Sequence, residues 1–281
     1  MTRRFLLSAS LADPALADPA VAGPVLDQAQ AAGLDLLLLG RAGAVPFDAQ
    51  VLAAWAAPRL TRMGVVPVIP PRLGHPFHVA RALSAVDYLA GGLLGWNPVA
   101  EGEEPEQIAD LVQATRALWD GWDADTLVID KASGHYLDTH KVRASHYEGR
   151  WYKTQGPVNA MRPLQDHPLL VVDAASPFAV PGVDLAIAAE GQSAPAAARL
   201  LRRVTLTDDP GALADAFAQG DIDGIHVDLA GASPELSSFA ERFAALASPA
   251  PDATGTLRQR LGLPLPEILS APVNASVKES L

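Results

Sequence analysis

Ala174, Ala175, Ser176 and Pro177 follow directly on the apolar run at 169–173. This is a composition that admits an anion. Small side chains let a phosphate approach the backbone, Ser176 adds a hydroxyl, and Pro177 suits the first position of a helical turn. Free backbone N–H groups at such a turn would make an anion site. The same residues also describe an ordinary serine cap on a helix. Asn97 closes another apolar run, and its amide can donate to a bound ring system and accept from it, or bond its own loop. His75 and His78 form one histidine group, and His135, His140 and His146 with Asp138 a second. Neither has the HExxH spacing or a cysteine partner, so no metal is expected. His75 stands where a helix begins and is a candidate contact for a cofactor or substrate. There is no Gly-x-Ser-x-Gly elbow, no phosphate loop of the Walker type and no Gly-x-Gly-x-x-Gly after a strand. Gly91, Gly92 and Gly95 suit a helix-to-strand turn. No acid/base pair stands out, and no catalytic residue is nominated.

Composition bounds the setting of these residues. The 281 residues carry a net charge of −11, with 49% hydrophobic and 19% charged side chains, too apolar for a disordered chain. With no cysteine there is no disulfide framework and no thiolate nucleophile. The acidic balance argues against a nucleic-acid partner, because phosphate contacts need a field of Lys and Arg. No apolar run approaches the length of a membrane span. Arg3 and Arg4 before FLLSASLA imitate a secretory leader, but Asp13-Pro14 breaks the apolar run early, so a first core strand and a cytoplasmic location are expected.

The elements that must position the candidates read as alternating strands and helices. Short apolar runs near 4–9, 34–39, 64–69 and 93–97 predict buried parallel strands, with helices near 22–32, 48–60, 76–90 and 105–122. In the fourth helix Ile108, Leu111, Val112, Thr115, Leu118, Trp119 and Trp122 make one stripe. Residues 123–167 break the rhythm as a long excursion. Strands then follow near 168–173 and 183–188, with too little chain between them for a full helix. A helix at 194–202, a strand at 203–207, a helix capped by Asp209-Pro210, a strand at 222–228 and a helix opened by Ser233-Pro234-Glu235 complete the series. Eight strands in this order favour a closed (β/α)8 TIM barrel, of α/β class, over an open doubly wound sheet. One domain at 1–247 is expected, followed by a Pro/Ala-rich tail at 248–281 with a short helix in TLRQRLGL. The candidates then fall at the C-terminal ends of strands, where a barrel keeps its site: Arg41 after the second, Pro70 to His75 after the third, Asn97 after the fourth, and Ala174, Ala175 and Ser176 after the fifth. The second helix, DAQVLAAWAAPRL, is apolar on nearly every face, which suits a contact with another subunit or an alanine-rich composition alone.

The runs HPFHVARALSAVDYLAGGLLGWN (75–97), ALWDGWDADTLVIDKASG (117–134), HYEGRWYKTQGPVNAMRPLQDHPLL (146–170), VVDAASP (171–177) and TLRQRLGLPLP (256–266) occur in order and cover much of the chain. They resemble the bacterial luciferase-like, flavin-dependent monooxygenases, in the branch of nitrilotriacetate and dibenzothiophene-sulfone monooxygenases. The resemblance implies a luciferase-like barrel and oxygen activation on reduced FMN supplied by a separate flavin reductase. It places Ser176 at the flavin phosphate and Asn97 in the family's GWN motif. Other positions depart from the pattern. Arg41 stands where the family has an acidic residue. Pro71 falls where a hydroxyl is expected. The segment that normally brings a His and a Tyr to the phosphate has shrunk to PVAEGEEP, with Glu101, Glu103 and Glu104 of the wrong sign. Arg41 could compensate as a bidentate phosphate ligand. The chain is also more compact than the usual enzymes of the branch. Two functions follow from the resemblance. One is a reduced-FMN-dependent monooxygenase acting on a small organic or natural-product substrate. The other is a flavin-poor partner that stabilises or gates a larger homologous subunit. Either implies a homodimer or heterodimer through the second and third helices, and weak FMN affinity for the isolated chain.

Overall fold

The computed structural model describes residues 3–231, 233–248 and 254–268. The first half is four βα units: β1 Leu6–Leu11, α1 Pro19–Ala31, β2 Leu36–Leu39, α2 Ala49–Ala56, β3 Gly64–Ile69, α3 Pro76–Leu89, β4 Gly95–Pro98 and α4 Pro105–Trp119. The excursion follows as two small antiparallel ribbons, β5 Leu127–Asp130 with β6 His135–Leu137, and β7 Tyr147–Glu148 with β8 Lys153–Thr154. The second half is β9 Leu169–Asp173, β10 Val183–Ala189, β11 Ala197–Val204, α5 Pro210–Gln219, β12 Gly224–Leu229, α6 Ser233–Phe243 and a short α7 Leu257–Arg260. Eight parallel strands close a barrel in the order β1-β2-β3-β4-β9-β10-β11-β12. Every residue of β1, β2, β3, β4 and β9 is buried, as expected of strands covered on both faces.

Local chemistry sets the helix starts. Asp18, Asp48 and Asp209 accept from first-turn N–H groups of α1, α2 and α5, and proline opens α1, α3, α4 and α5. On α4 the apolar stripe is buried, and the Trp119 indole N–H donates to the Ala80 carbonyl of α3 at 2.9 Å. Asp110 on the same helix anchors the excursion. Its carboxylate accepts from the Tyr147 hydroxyl and from the N–H groups of Trp151 and Tyr152, the latter two at 2.6 and 3.0 Å. No helix among the described residues is long and apolar enough to cross a membrane.

The expected helix at 194–202 and strand at 203–207 are instead the single strand β11. Its residues Ala197 to Arg203 pair with Val183 to Ala189 of β10, and Leu201 to Val204 pair with Gly224 to Val227 of β12. A helix there would leave the facing edges of β10 and β12 without backbone partners and the barrel open. The helical preference of Ala, Leu and Arg amounts to a fraction of a kcal/mol per residue, too little to compete. The links at 174–182 and 190–196 therefore carry no helix, and the barrel wall between α4 and α5 lacks its usual outer layer.

The C-terminal segment, as far as it is described, packs against the barrel. Residues 249–253 and 269–281 of the expected tail lie outside the described residues. Leu257 seats so close to Gly64 that a Cβ there would meet Leu257 Cδ2 at 2.4 Å. Arg258, 3% exposed, holds the Asp184 carboxylate with both terminal nitrogens at 2.6 and 2.9 Å. Gln165 ties this end together. It donates to Asp87 of α3 at 2.7 Å and to the Leu94 carbonyl at 2.8 Å, and accepts from Arg258 N–H at 3.0 Å.

Burial pushes the Asp87 carboxyl up to about 6, against the bonds it accepts from Gln165. A folded-state value raised above the unfolded one stabilises the protein below about 3.8, and that contribution is lost as the pH rises through about 6. Asp87→Asn is therefore expected to lose less stability than the wild type between about pH 4 and about pH 7. Urea unfolding across that range checks it, and an unchanged difference would exclude Asp87 as the source.

Candidate functional site at the barrel mouth

Polar residues at alternate positions of apolar strands meet inside the C-terminal half of the barrel. Ser8 and Ser10 of β1 pair in register with His226 and Asp228 of β12, so all four share a face of the sheet. Ser8 Oγ lies 2.9 Å from His226 Nδ1, and Ser10 donates to Asp228 Oδ1 at 2.6 Å. His226 Nε2 lies 3.2 Å from the same Oδ1. Arg203 of β11 then crosses the mouth. Its Nε donates to Asp228 Oδ2 at 2.9 Å and its Nη2 to Asp173 Oδ2 of β9 at 2.6 Å. The network joins β1, β9, β11 and β12.

Its electrostatics follow from these contacts. Burial pushes the Asp228 carboxyl upward, but the bond and charge of His226, the Ser10 hydroxyl and Arg203 outweigh it and hold the carboxyl well below the usual range. Burial also works against the Arg203 charge, and the bonds and charges of Asp173 and Asp228 raise its value nonetheless. The cluster is thus a fixed ion pair network across the mouth. The sequence reading missed it, although its signal was present: Ser8 and Ser10, and His226 and Asp228, interrupt apolar strands with period two.

The nominated residues lie around this mouth. The loop after β9 is not the open amide cradle expected. Ala174 N–H donates to the Ile187 carbonyl at 2.8 Å, Ala175 N–H to Asp173 Oδ1 at 2.8 Å, and Ser176 N–H to the Asp173 carbonyl at 2.9 Å. No helix starts at Pro177, so no helical end lends its unbonded N–H groups. Ser176 Oγ accepts from Ala100 N–H at 2.8 Å, which joins the loops after β4 and β9 and leaves its own proton to donate. Asn97 is fully buried, and with its amide nitrogen turned inward it donates to the Val171 and Pro98 carbonyls, each at 3.2 Å.

The other nominees stand farther apart. Arg41 donates through Nη1 to the Leu229 carbonyl at the end of β12, at 3.2 Å. His75 caps α3, accepting from Phe77 N–H at 3.3 Å, and its ring stands edge-on to Tyr152 at 5.9 Å. Burial and the nearby His78 lower its pKa. Pro71 opens a single 3-10 turn, and Arg72 beside it pairs with Glu101. The Glu103 carboxylate accepts from Glu101 N–H at 2.7 Å. His78 is exposed on α3, and Asp138 caps the turn holding His140. Among the described residues no group of three or more His, Asp or Glu side chains gathers to hold a metal.

These residues fit a flavin phosphate only in part. The three amides are spent, and what remains is the Ser176 hydroxyl and the unused donors of Arg41. Those belong to β9 and β2, three strands apart in the ring, or roughly 14 Å along the wall at about 4.8 Å per strand. A phosphate held by both would have to lie between these two parts of the rim.

No family model matches the sequence. The structure of an EDTA monooxygenase from Chelativorans sp. BNC1 superposes with a TM-score of 0.73 at 15% identity, covering 93% of this chain and 99% of that one, and so shares the fold. Dibenzothiophene-sulfone monooxygenase of Rhodococcus erythropolis is 30% identical over 156 residues, 50% of this chain and 34% of that enzyme. A subunit of the pristinamycin IIA synthase of Streptomyces pristinaespiralis is 33% identical over 252 residues, 85% of this chain and 87% of that protein. The chain belongs to the luciferase-like, flavin-dependent monooxygenase family. This family member spans about a third of the length of the dibenzothiophene-sulfone enzyme but nearly all of the synthase subunit.

In this luciferase-like barrel, Arg203→Met would leave the Asp173 carboxylate buried without its cation. The expected loss is about 3 kcal/mol of unfolding free energy. Adding Asp173→Asn should recover part of it, so denaturation of the four proteins of the double-mutant cycle gives a clear coupling. Simple additivity would show the pair to be unlinked.

Proposed function

We propose that the chain is a reduced-FMN-dependent monooxygenase component of a two-component system, acting in the cytoplasm on a small organic or natural-product substrate. A separate flavin reductase supplies the reduced flavin. The observation that carries this reading is the likeness to a synthase subunit across nearly the whole of both chains. The flavin brings the oxygen chemistry, and the barrel mouth holds and shields it. Ser176 and Arg41 are the residues with donors left for its phosphate. Asn97 shapes the wall beneath it, Ala174 and Ala175 keep the rim low, and His75 stands at the substrate side.

A second reading has its own support. The spent amides at 174–176 and the Arg203 network favour a flavin-poor subunit that works with a larger homologue. In both readings the isolated chain binds FMN weakly. Calorimetric titration with oxidised and reduced FMN is expected to give affinities weaker than micromolar, and sub-micromolar binding would overturn the account of the mouth. Substrate oxidation by this chain with only a reductase added would dismiss the second reading.

Pairing through α2 and α3 fits their surfaces. Val51 on α2 and Leu89 on α3 are exposed, and the Arg59 guanidinium lies 4.0 Å over the Trp55 ring. Val51→Glu is expected to shift the protein from dimer to monomer in sedimentation, and an unaltered mass would remove α2 from the interface.

A further inference from the structure

The bare wall between α4 and α5 has the shape of a place for a helix. Glu106, Ala109, Asp110 and Gln113 recur at helical spacing on one side of α4 and border a groove of about 1220 Å³. The rest of its lining comes from the two links that carry no helix, at 177–181 and 193–196, and from ribbon residues 147–151. Phe178 and Val183 are deeply buried parts of this lining, and Trp151, Val180 and Pro195 are half-buried. Through Gln113, Pro181 and Val183 the groove runs on into a cavity of about 350 Å³ that reaches Arg116. From Glu106 to Arg116 is about 15 Å along α4, the length of nearly three helical turns. In a (β/α)8 barrel this is the position of the helix that follows the fifth strand, packed beside the fourth helix.

The rim of the groove is mainly negative. Glu106 and Glu148 are exposed on the lining, and Glu104 is exposed at the start of α4. Glu104 and Glu106 also suit the N-terminal end of α4, but Glu148 on β7 serves no helix. The cation of the lining, Arg150, lies over the Trp151 ring at 4.4 Å. A second copy of this chain, of net charge −11, would bring like charges to this rim. The complementary surface is an apolar stripe flanked by Lys and Arg.

We propose that this groove docks a basic amphipathic helix of another protein, laid beside α4 in the place of the helix this barrel lacks. The apolar stripe of that helix covers Phe178, Val180 and the Trp151 ring, and its Lys or Arg residues meet Glu106 and Glu148. The surface lies outside the barrel and is independent of flavin.

Calorimetry of the full chain with three synthetic peptides of about 14 residues, each kept monomeric, tests it. One places leucine and lysine at helical period, one has the same composition at period two, and one replaces every lysine of the first by glutamate. The first is expected to bind about tenfold or more tightly than either of the others. Ala196→Trp fills the groove from an exposed position and should lower that affinity by about tenfold. Glu148→Lys, also at an exposed position, should lower it by about fivefold. Equal binding of the period-two peptide would leave charge attraction alone, and equal binding of the glutamate peptide apolar contact alone; either overturns the proposal. So does an affinity unchanged in Ala196→Trp. A dimer in sedimentation that Ala196→Trp dissociates would make a second copy the occupant and overturn it as well.

Discussion

The double ladder of β11 is the constraint on which both faces of this barrel depend. Pairing with β10 on one side and β12 on the other closes the ring, and it fixes the register of every residue from Ala197 to Val204. Alternation then turns Leu201 and Arg203 inward and Ala198, Leu200 and Arg202 outward. An arginine placed in the lumen must find carboxylates, and it finds Asp173 and Asp228. Those acids bring Ser10, His226 and Ser8 into the same network. The chemistry of the mouth is thus a consequence of how the ring is closed.

The outer wall answers to the same strand. Since the links on either side of β10 are too short for helices, other devices hold the wall. Arg116 reaches from α4 to the Pro181-Gly182 turn, and Arg258 reaches from the C-terminal segment to Asp184 at the start of β10. Both replace broad apolar contact with point contacts by guanidinium groups. Such straps hold the backbone in place but cover little area, and an apolar groove is left beside them.

How far the sequence could be read depends on whether local signals and long-range pairing agreed. They agreed at β3, an apolar run whose bounds match at 64–69, and at α5, where Asp209 and Pro210 mark the start unambiguously. They disagreed at 194–204, where Ala, Leu and Arg favour a helix and only the edges of β10 and β12 require a strand. Ser176-Pro177 misled for a related reason. The pair has the local pattern of a helix start, but the chain turns directly toward β10, so the hydroxyl binds Ala100 and the amides bind β9 and β10. The mouth cluster was legible in period, though not in partners, because Ser8 and Asp173 lie far from Arg203 along the chain.

Compactness bears on how a flavin could be held. The match to the synthase subunit covers similar shares of both chains, so the two are of similar length. A ring system seated in the mouth of this barrel would meet the Arg203 network. It must either displace Arg203, exposing Asp173 and Asp228 to each other, or rest above it. Displacement sets two carboxylates facing an electron-rich ring, which is unfavourable in a partly dry lumen. Resting above it keeps the network intact but leaves the phosphate among loops whose amides are already bonded. Affinity then depends on the few donors left, the Ser176 hydroxyl and the unused N–H groups of Arg41.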